Sequence, residues 1–311
     1  MKAFPVFDAH CDTALELWER QASLRQTSGQ WDLARAAQLP GWAQFFAFCP
    51  ICSPFAAELG AEAVLARAYA QFLQQLEACQ LPVCRDAAEV ERQLPTGAVL
   101  LSLEGAEGIG CDPGRLEPLR LQGFAMTGLT WNYENEYACG AAADQAKGLT
   151  ARGKEMVKVL TDQGIVMDIS HLSDQGVEDL FQLTDRPVMA SHSDIREVWD
   201  APRNLQKVHL KELISRKGII GMNFFAPFVG EKPQISDLLK HMDAVLEMGG
   251  EDCLAIGSDF DGCDGLFPAH IEGVQSMPFL REELLKHGFT EELTEKIFYK
   301  NAHRFVMENV K

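Results

Sequence analysis

Short apolar runs, rich in β-branched and aromatic side chains and bounded by Gly, Pro or Asp, recur along the whole chain. Eight segments have this character: PVFDAHCD, WAQFFAFCP, GAVLLSLEG, GFAMTGLTWN, GIVMDISH, RPVMASHS, GIIGMNFF and CLAIGSDFDG. Near-continuous apolarity, in place of strict alternation, marks strands covered on both faces. Between several of them the spacing changes to the i, i+3/i+4 pattern of amphipathic helices, over 57–78, 151–163, 174–183, 205–216 and 236–248. Buried strands alternating with helices predict a parallel sheet with helices outside it. Eight such units predict a closed (β/α)8 TIM barrel of the α/β class.

The connections are unequal. Segment 13–41 has little clean periodicity and reads as an N-terminal loop insertion between the first two strands, while 106–122 has room for a short helix at best. The tail TEELTEKIFYKNAHRFVMENV starts acidic and carries an apolar stripe, which predicts a C-terminal helix closing the barrel, with His303 on a packed or solvated face. At 311 residues the chain is within the range of one barrel, so a single domain over 1–311 is expected.

Composition narrows the function. The apolar share of 47% and charged share of 23% are ordinary for a globular protein, and the net charge of −17 argues against nucleic acid or an anionic membrane surface as partner. MKAFPVFDAH lacks a long apolar core and a small-residue cleavage site, and no later run is long enough to span a bilayer, so a cytoplasmic location is expected. Nine scattered cysteines fit reduced thiols. The one tight pair, Cys49 and Cys52 in CPIC, reads as a loop feature more than as a redox couple or half of a zinc site.

The placement of polar residues carries the chemistry. His10 and Asp12 end the first strand segment, Glu104 the third, His171 the fifth, His192 the sixth and Asp259 the eighth. In a barrel all these ends meet at one mouth, where such folds build their sites. Alone, His10 and Asp12 would read as a buried histidine beside a capping aspartate; in an extended strand they share a face, with Cys11 on the other. Three imidazoles and three carboxylates in one cavity need a cation to organise them, and this donor set suits divalent zinc. Glu104, lying between the two groups of ligands, is the natural bridge. One ion on His10, Asp12 and Glu104 and a second on Glu104, His171 and His192 would share a water, which implies hydrolysis. Asp259 is left as the proton-transfer group. Asp261 is its rival in SDFDG, although beside Gly262 it looks more like a turn residue.

The motifs DAHCDT, AQFF, SLEGAE, LTWN, MDISHLS, SHSD, PRN and IGSDFDG together resemble the membrane (renal-type) dipeptidase family, zinc-dependent barrels of the wider amidohydrolase group. The resemblance implies two zinc ions on the five ligands named above, with Asp259 beside the bridging water. It further implies that Arg203, which would otherwise read as a surface loop arginine, binds the substrate's terminal carboxylate. It adds tolerance for a D-residue at the second position, and a homodimer. One departure stands out: animal members carry a histidine where this chain has Trp131, so that support of the substrate carbonyl passes to the metals, to Asn132 or to no comparable group. Trp131 and Asn132 are therefore expected to contact substrate. The family name also implies secretion and lipid anchoring, for which the sequence offers neither a signal-peptide pattern nor a hydrophobic tail.

The resulting expectation is a metal-dependent dipeptidase in which metal-bound hydroxide attacks the peptide carbonyl of a small dipeptide. An amidohydrolase acting on N-acyl amino acids or cyclic amides would share the metals. A metal-binding barrel without hydrolytic activity is the non-enzymatic rival. A nucleotide-binding protein fits poorly, because Gly105, Gly108 and Gly110 do not form G-x-G-x-x-G and Glu104 would repel phosphate.

Overall fold

All eight predicted strands form: β1 (Val6–Cys11), β2 (Trp42–Phe48), β3 (Ala98–Leu103), β4 (Phe124–Gly128), β5 (Val166–Asp168), β6 (Met189–Ala190), β7 (Ile219–Met222) and β8 (Leu254–Ile256). They come from a computed structural model in which residues 4–310 are described. Each strand runs parallel to the next in chain order, and β8 returns to β1 through Asp8 and Ile256, closing the barrel. The fold is a (β/α)8 TIM barrel.

The helices follow the predicted pattern where they are long. Ala151–Gln163 starts at Thr150, whose hydroxyl accepts from the Gly153 amide, and stops at Gly164 in the left-handed region (φ 73°). Asp174–Leu183 is capped in the same way by Ser173. The helix predicted over 57–78 is cut into Ala56–Leu59 and Ala61–Ala78 by Gly60 at φ 81°.

Further helices lie outside the predicted set. Segment 13–41 is not a plain loop insertion but carries helices Thr13–Glu19 and Leu33–Ala36, each too short to display a period. Ala87–Gln93 and Met277–His287 were likewise unforeseen.

A cluster including Phe7, Ala43, Ala98 and Ala255 fills the barrel floor, and Ala302, Phe305 and Val306 of the tail pack into it. The tail is helical from Glu291 to Asn309 through a wider turn at Lys296–Lys300. Asn301 Nδ2 donates to the carbonyls of Glu251 and Leu254, both at 2.8 Å, pinning the tail beneath β8. His303 faces outward and pairs with Glu91 at 2.6 Å.

The cysteine expectation needs one correction. Cys49 and Cys52 form a disulfide, whereas the other seven cysteines are free. The cause is local: a tight turn at Pro50–Cys52 places the Cys52 amide 2.9 Å from the Cys49 carbonyl and brings the two Cα atoms to 5.5 Å. Among the described residues no helix is long and apolar enough to cross a membrane.

Candidate metal centre

The first strand reaches the site through an irregularity. Phe7 and Ala9 belong to the floor cluster, so strict alternation would aim His10 out of the barrel. Between Asp8 and Cys11, however, three steps on β1 match two on β2 (Gln44 to Phe46), a bulge that changes the phase. His10 Nε2 therefore comes to 3.3 Å from Asp12 Oδ2. Cys11 joins the outer core, as the sequence predicts.

The six strand-end residues converge. His10 Nε2 lies 3.4 Å from Glu104 Oε2 and 3.9 Å from Asp259 Oδ1, and His192 Nε2 lies 3.7 Å from Glu104 Oε1. His171 Nε2 contacts Glu104 Oε1 and stands 2.9 Å from His192 Nε2. Among the described residues three trios have donor atoms close enough to hold a cation: Glu104 with His171 and His192, His10 with Asp12 and Asp259, and His10 with Asp168 and His192. Glu104 turns one oxygen toward His10 and the other toward His171 and His192.

Residues that the sequence reading passed over fix the ring orientations. Ser191 Oγ donates to Asp168 Oδ2, and lies 2.8 Å from His192 Nδ1 and 3.3 Å from His10 Nδ1. With its proton committed to the carboxylate, the hydroxyl can only accept from both rings, which puts their hydrogens on Nδ1 and their Nε2 lone pairs at the centre. Asn132 Oδ1 lies 2.9 Å from His171 Nδ1, beside the Arg203 Nε that approaches the same nitrogen at 3.1 Å. Asp168 is held in turn by Ser170 Oγ (2.8 Å) and the Ser191 amide (3.0 Å).

These donors fit a metal. His10 Nε2 is buried without a hydrogen bond, and seven acidic side chains, Asp12, Glu104 and Asp259 among them, line the cavity with one guanidinium, that of Arg203. Burial, reinforced by Glu104, pushes the Asp12 carboxyl up to about 8. Burial and the charge of His10 push His192 well below its ordinary range. Burial also opposes the Glu104 carboxylate, yet His171 and His10 outweigh it and hold its pKa well below normal. These opposite displacements follow from packing ionisable groups of both signs into one buried site.

Replacing Ser191 by Ala should reduce metal affinity about 10- to 100-fold, because both rings lose the acceptor that fixes their tautomer. Titration with a competing chelator measures this, and unchanged affinity would contradict the assigned orientation.

Asp259 and Asp261 separate clearly. Asp261 spends its oxygens on Thr13 Oγ1 and the Gln30 amide, both at 2.6 Å, as a turn residue would. Asp259, at φ 60°, receives the Asn223 amide on Oδ2 at 3.0 Å and leaves Oδ1 toward His10. Gly262 is required beside it, since a Cβ there would run into carboxylate oxygens of Asp12 and Asp259. Sequence alone did not mark Asn223, which looks like one polar residue in an apolar run.

A cavity of about 360 Å³ opens over the centre. Arg203, 6% exposed, lies on its wall, with Nε and Nη2 at 3.1 and 3.2 Å from the two nitrogens of His171 and Nη2 donating to the His192 carbonyl at 3.2 Å. It is not the solvated loop arginine that its local sequence suggests. Trp131 lines the same wall, with its ring 6.2 Å from that of His171, and the disulfide Cys49–Cys52 lies on the rim.

Comparison with known proteins agrees with this geometry. The family model for membrane dipeptidase, peptidase family M19, matches residues 1–311. The chain is 27% identical over 248 residues to dipeptidase tcpJ of Claviceps purpurea, covering 76% of this chain and 57% of that protein. Its fold matches a solved M19 metallopeptidase, dipeptidase AC, with a TM-score of 0.90, 28% identity and 99% of both chains covered. A metallopeptidase from Rhodobacter sphaeroides, solved with a phosphinate mimic of the dipeptide L-Ala-D-Ala, gives a TM-score of 0.88 and 26% identity over 100% of both chains.

Proposed function

Because the chain belongs to the membrane dipeptidase family, peptidase family M19, we propose that its barrel mouth is a two-ion centre that cleaves dipeptides beside a fixed carboxylate anchor. The protein is a metallo-dipeptidase, and a divalent metal is its cofactor. One observation carries the finer reading: three imidazole Nε2 atoms and the Glu104 carboxylate converge on one point, with the Arg203 guanidinium in contact with the same ligands. The proposed ligands are His10, Asp12 and Glu104 for one ion and Glu104, His171 and His192 for the other, a donor set that favours zinc. Bound there, such ions supply carbonyl polarisation and acidify water.

The side chains do the rest. Arg203 presents paired N–H donors to the C-terminal carboxylate of the dipeptide and so sets which bond lies over the centre. Asp259 Oδ1, free because Asn223 occupies Oδ2, takes the proton released by attacking water and hands it to the leaving nitrogen. Asn132, committed to His171, acts on substrate through that ring, while Trp131 forms an apolar wall. The family resemblance, together with the L-Ala-D-Ala mimic held by the Rhodobacter protein, supports acceptance of a C-terminal D-residue.

We assign residues 1–311 to one working domain, on the support of a single closed barrel. The seven free thiols favour a cytoplasmic site of action and the Cys49–Cys52 disulfide counts against it. The homodimer rests on the resemblance, and light scattering tests it.

The anchor is tested with Arg203→Met, assayed on a dipeptide and on its C-terminal amide. KM for the free acid should rise about a hundredfold, as expected when a buried charge pair loses one partner, while the amide is little affected. Equal effects on both would remove Arg203 from carboxylate binding. Faster turnover of N-acyl amino acids or lactams than of dipeptides would overturn the peptidase reading.

A further inference from the structure

Arg203 lies within a closed hoop of backbone that follows β6. Ile195 and Leu205 pair as a bridge, with the Leu205 amide bonded to the Asp194 carbonyl at 2.8 Å and the Arg196 amide to the Leu205 carbonyl at 3.0 Å. A hoop of this kind has many conformations open to it unless something spans its interior.

Arg196 spans it, together with Asn204, whose Nδ2 donates to the Trp199 carbonyl at 2.9 Å. Arg196 Nε donates to the Asn204 carbonyl at 2.9 Å and its Nη2 to the Pro202 carbonyl at 2.7 Å, so one guanidinium grips the chain on both sides of Arg203. The guanidinium is itself locked by Asp174, whose oxygens accept from Nη1 and Nη2 at 2.5 and 2.9 Å. Asp174 begins the helix Asp174–Leu183, a rigid element, and Gln206 Nε2 reaches the same carboxylate at 2.5 Å. Both ionic side chains are less than one-fifth exposed, at 18% and 17%. Four bonds from one planar fork, two of them to a carboxylate, are a geometry that arginine supplies and lysine cannot.

We propose that Arg196, held by Asp174, is a positioning residue that fixes Arg203 for the substrate carboxylate. The inference rests on the reading of Arg203 as the carboxylate anchor. Arg196 touches no reacting atom; its effect reaches the substrate through the peptide units that flank Arg203.

The test uses the metal-loaded enzyme, a dipeptide with a free carboxylate, and its C-terminal amide. Arg196→Gln should raise KM for the free dipeptide about tenfold, the scale of one lost charge-assisted support, with kcat within about twofold. Constants for the amide and metal content should stay put, while the melting temperature falls by a few degrees as Asp174 loses its partner. Arg196→Lys should resemble Arg196→Gln, and Asp174→Asn should show the same split with a smaller rise. In the Arg203→Met background Arg196→Gln should add nothing.

An unchanged KM in Arg196→Gln, with Arg203→Met still discriminating acid from amide, overturns the positioning role alone. A joint fall in kcat and metal content, in Arg196→Gln or in Asp174→Asn should the former not fold, assigns the pair to general support of the fold and also overturns it. If Arg203→Met treats acid and amide alike, the anchor reading itself is what fails.

Discussion

Replacing Asp259 by Asn is expected to leave both ions bound and to lower kcat by about a hundredfold or more, the range of a lost general acid–base group. The substitution is chosen because the position is left-handed, at φ 60°, a conformation that Asn adopts readily and Ala does not. The Asn223 amide would still find an oxygen to bond, so the new side chain would stay in place with its NH₂ where Oδ1 now faces His10. What disappears is the ability to take a proton from water and return it to the departing nitrogen. Steady-state kinetics beside a metal analysis decides the matter: full turnover in the two-metal variant would take Asp259 out of the reaction.

Glu104→Gln is expected to act one step earlier. Glu104 is buried, with one oxygen toward His10 and the other toward His171 and His192. A glutamine keeps the shape but directs an N–H donor at one of those groups and gives up the charge that balances the cations. Dialysed protein should retain one metal or none. Activity should fall by about a thousandfold or more, consistent with the several kcal/mol that metal ions contribute to stabilising developing charge. Retention of both ions would show that the carboxylate does not bridge.

The convergence of the strand-end residues is legible because each follows an apolar run that could only be a buried strand, and parallel strands bring their ends together. His10 with Asp12, Glu104, His171, His192 and Asp259 needed no contact information beyond that. Ser191, Asp168 and Asn223 lie in the same segments and remained hidden, since a small polar residue next to a ligand looks the same whether it holds a ring or meets solvent. The bulge in β1 was also invisible: His10 and Asp12 do meet as predicted, but only through a phase change that compensates for Phe7 and Ala9 facing the floor. Helices of one or two turns, such as Leu33–Ala36, carry too few residues to reveal a period. The contacts of Arg203 depend on how the hoop after β6 folds back, which spacing along the chain does not encode.

The tail that seals the floor has its own consequence. Phe305 and Val306 plug the barrel at the end opposite the ligands, so this part of the apolar burial lies far from the groups that react. Damage at the plug would be felt as lost heat tolerance, and alteration at the rim as changed substrate preference. Selection can therefore tune durability and selectivity as two nearly independent traits.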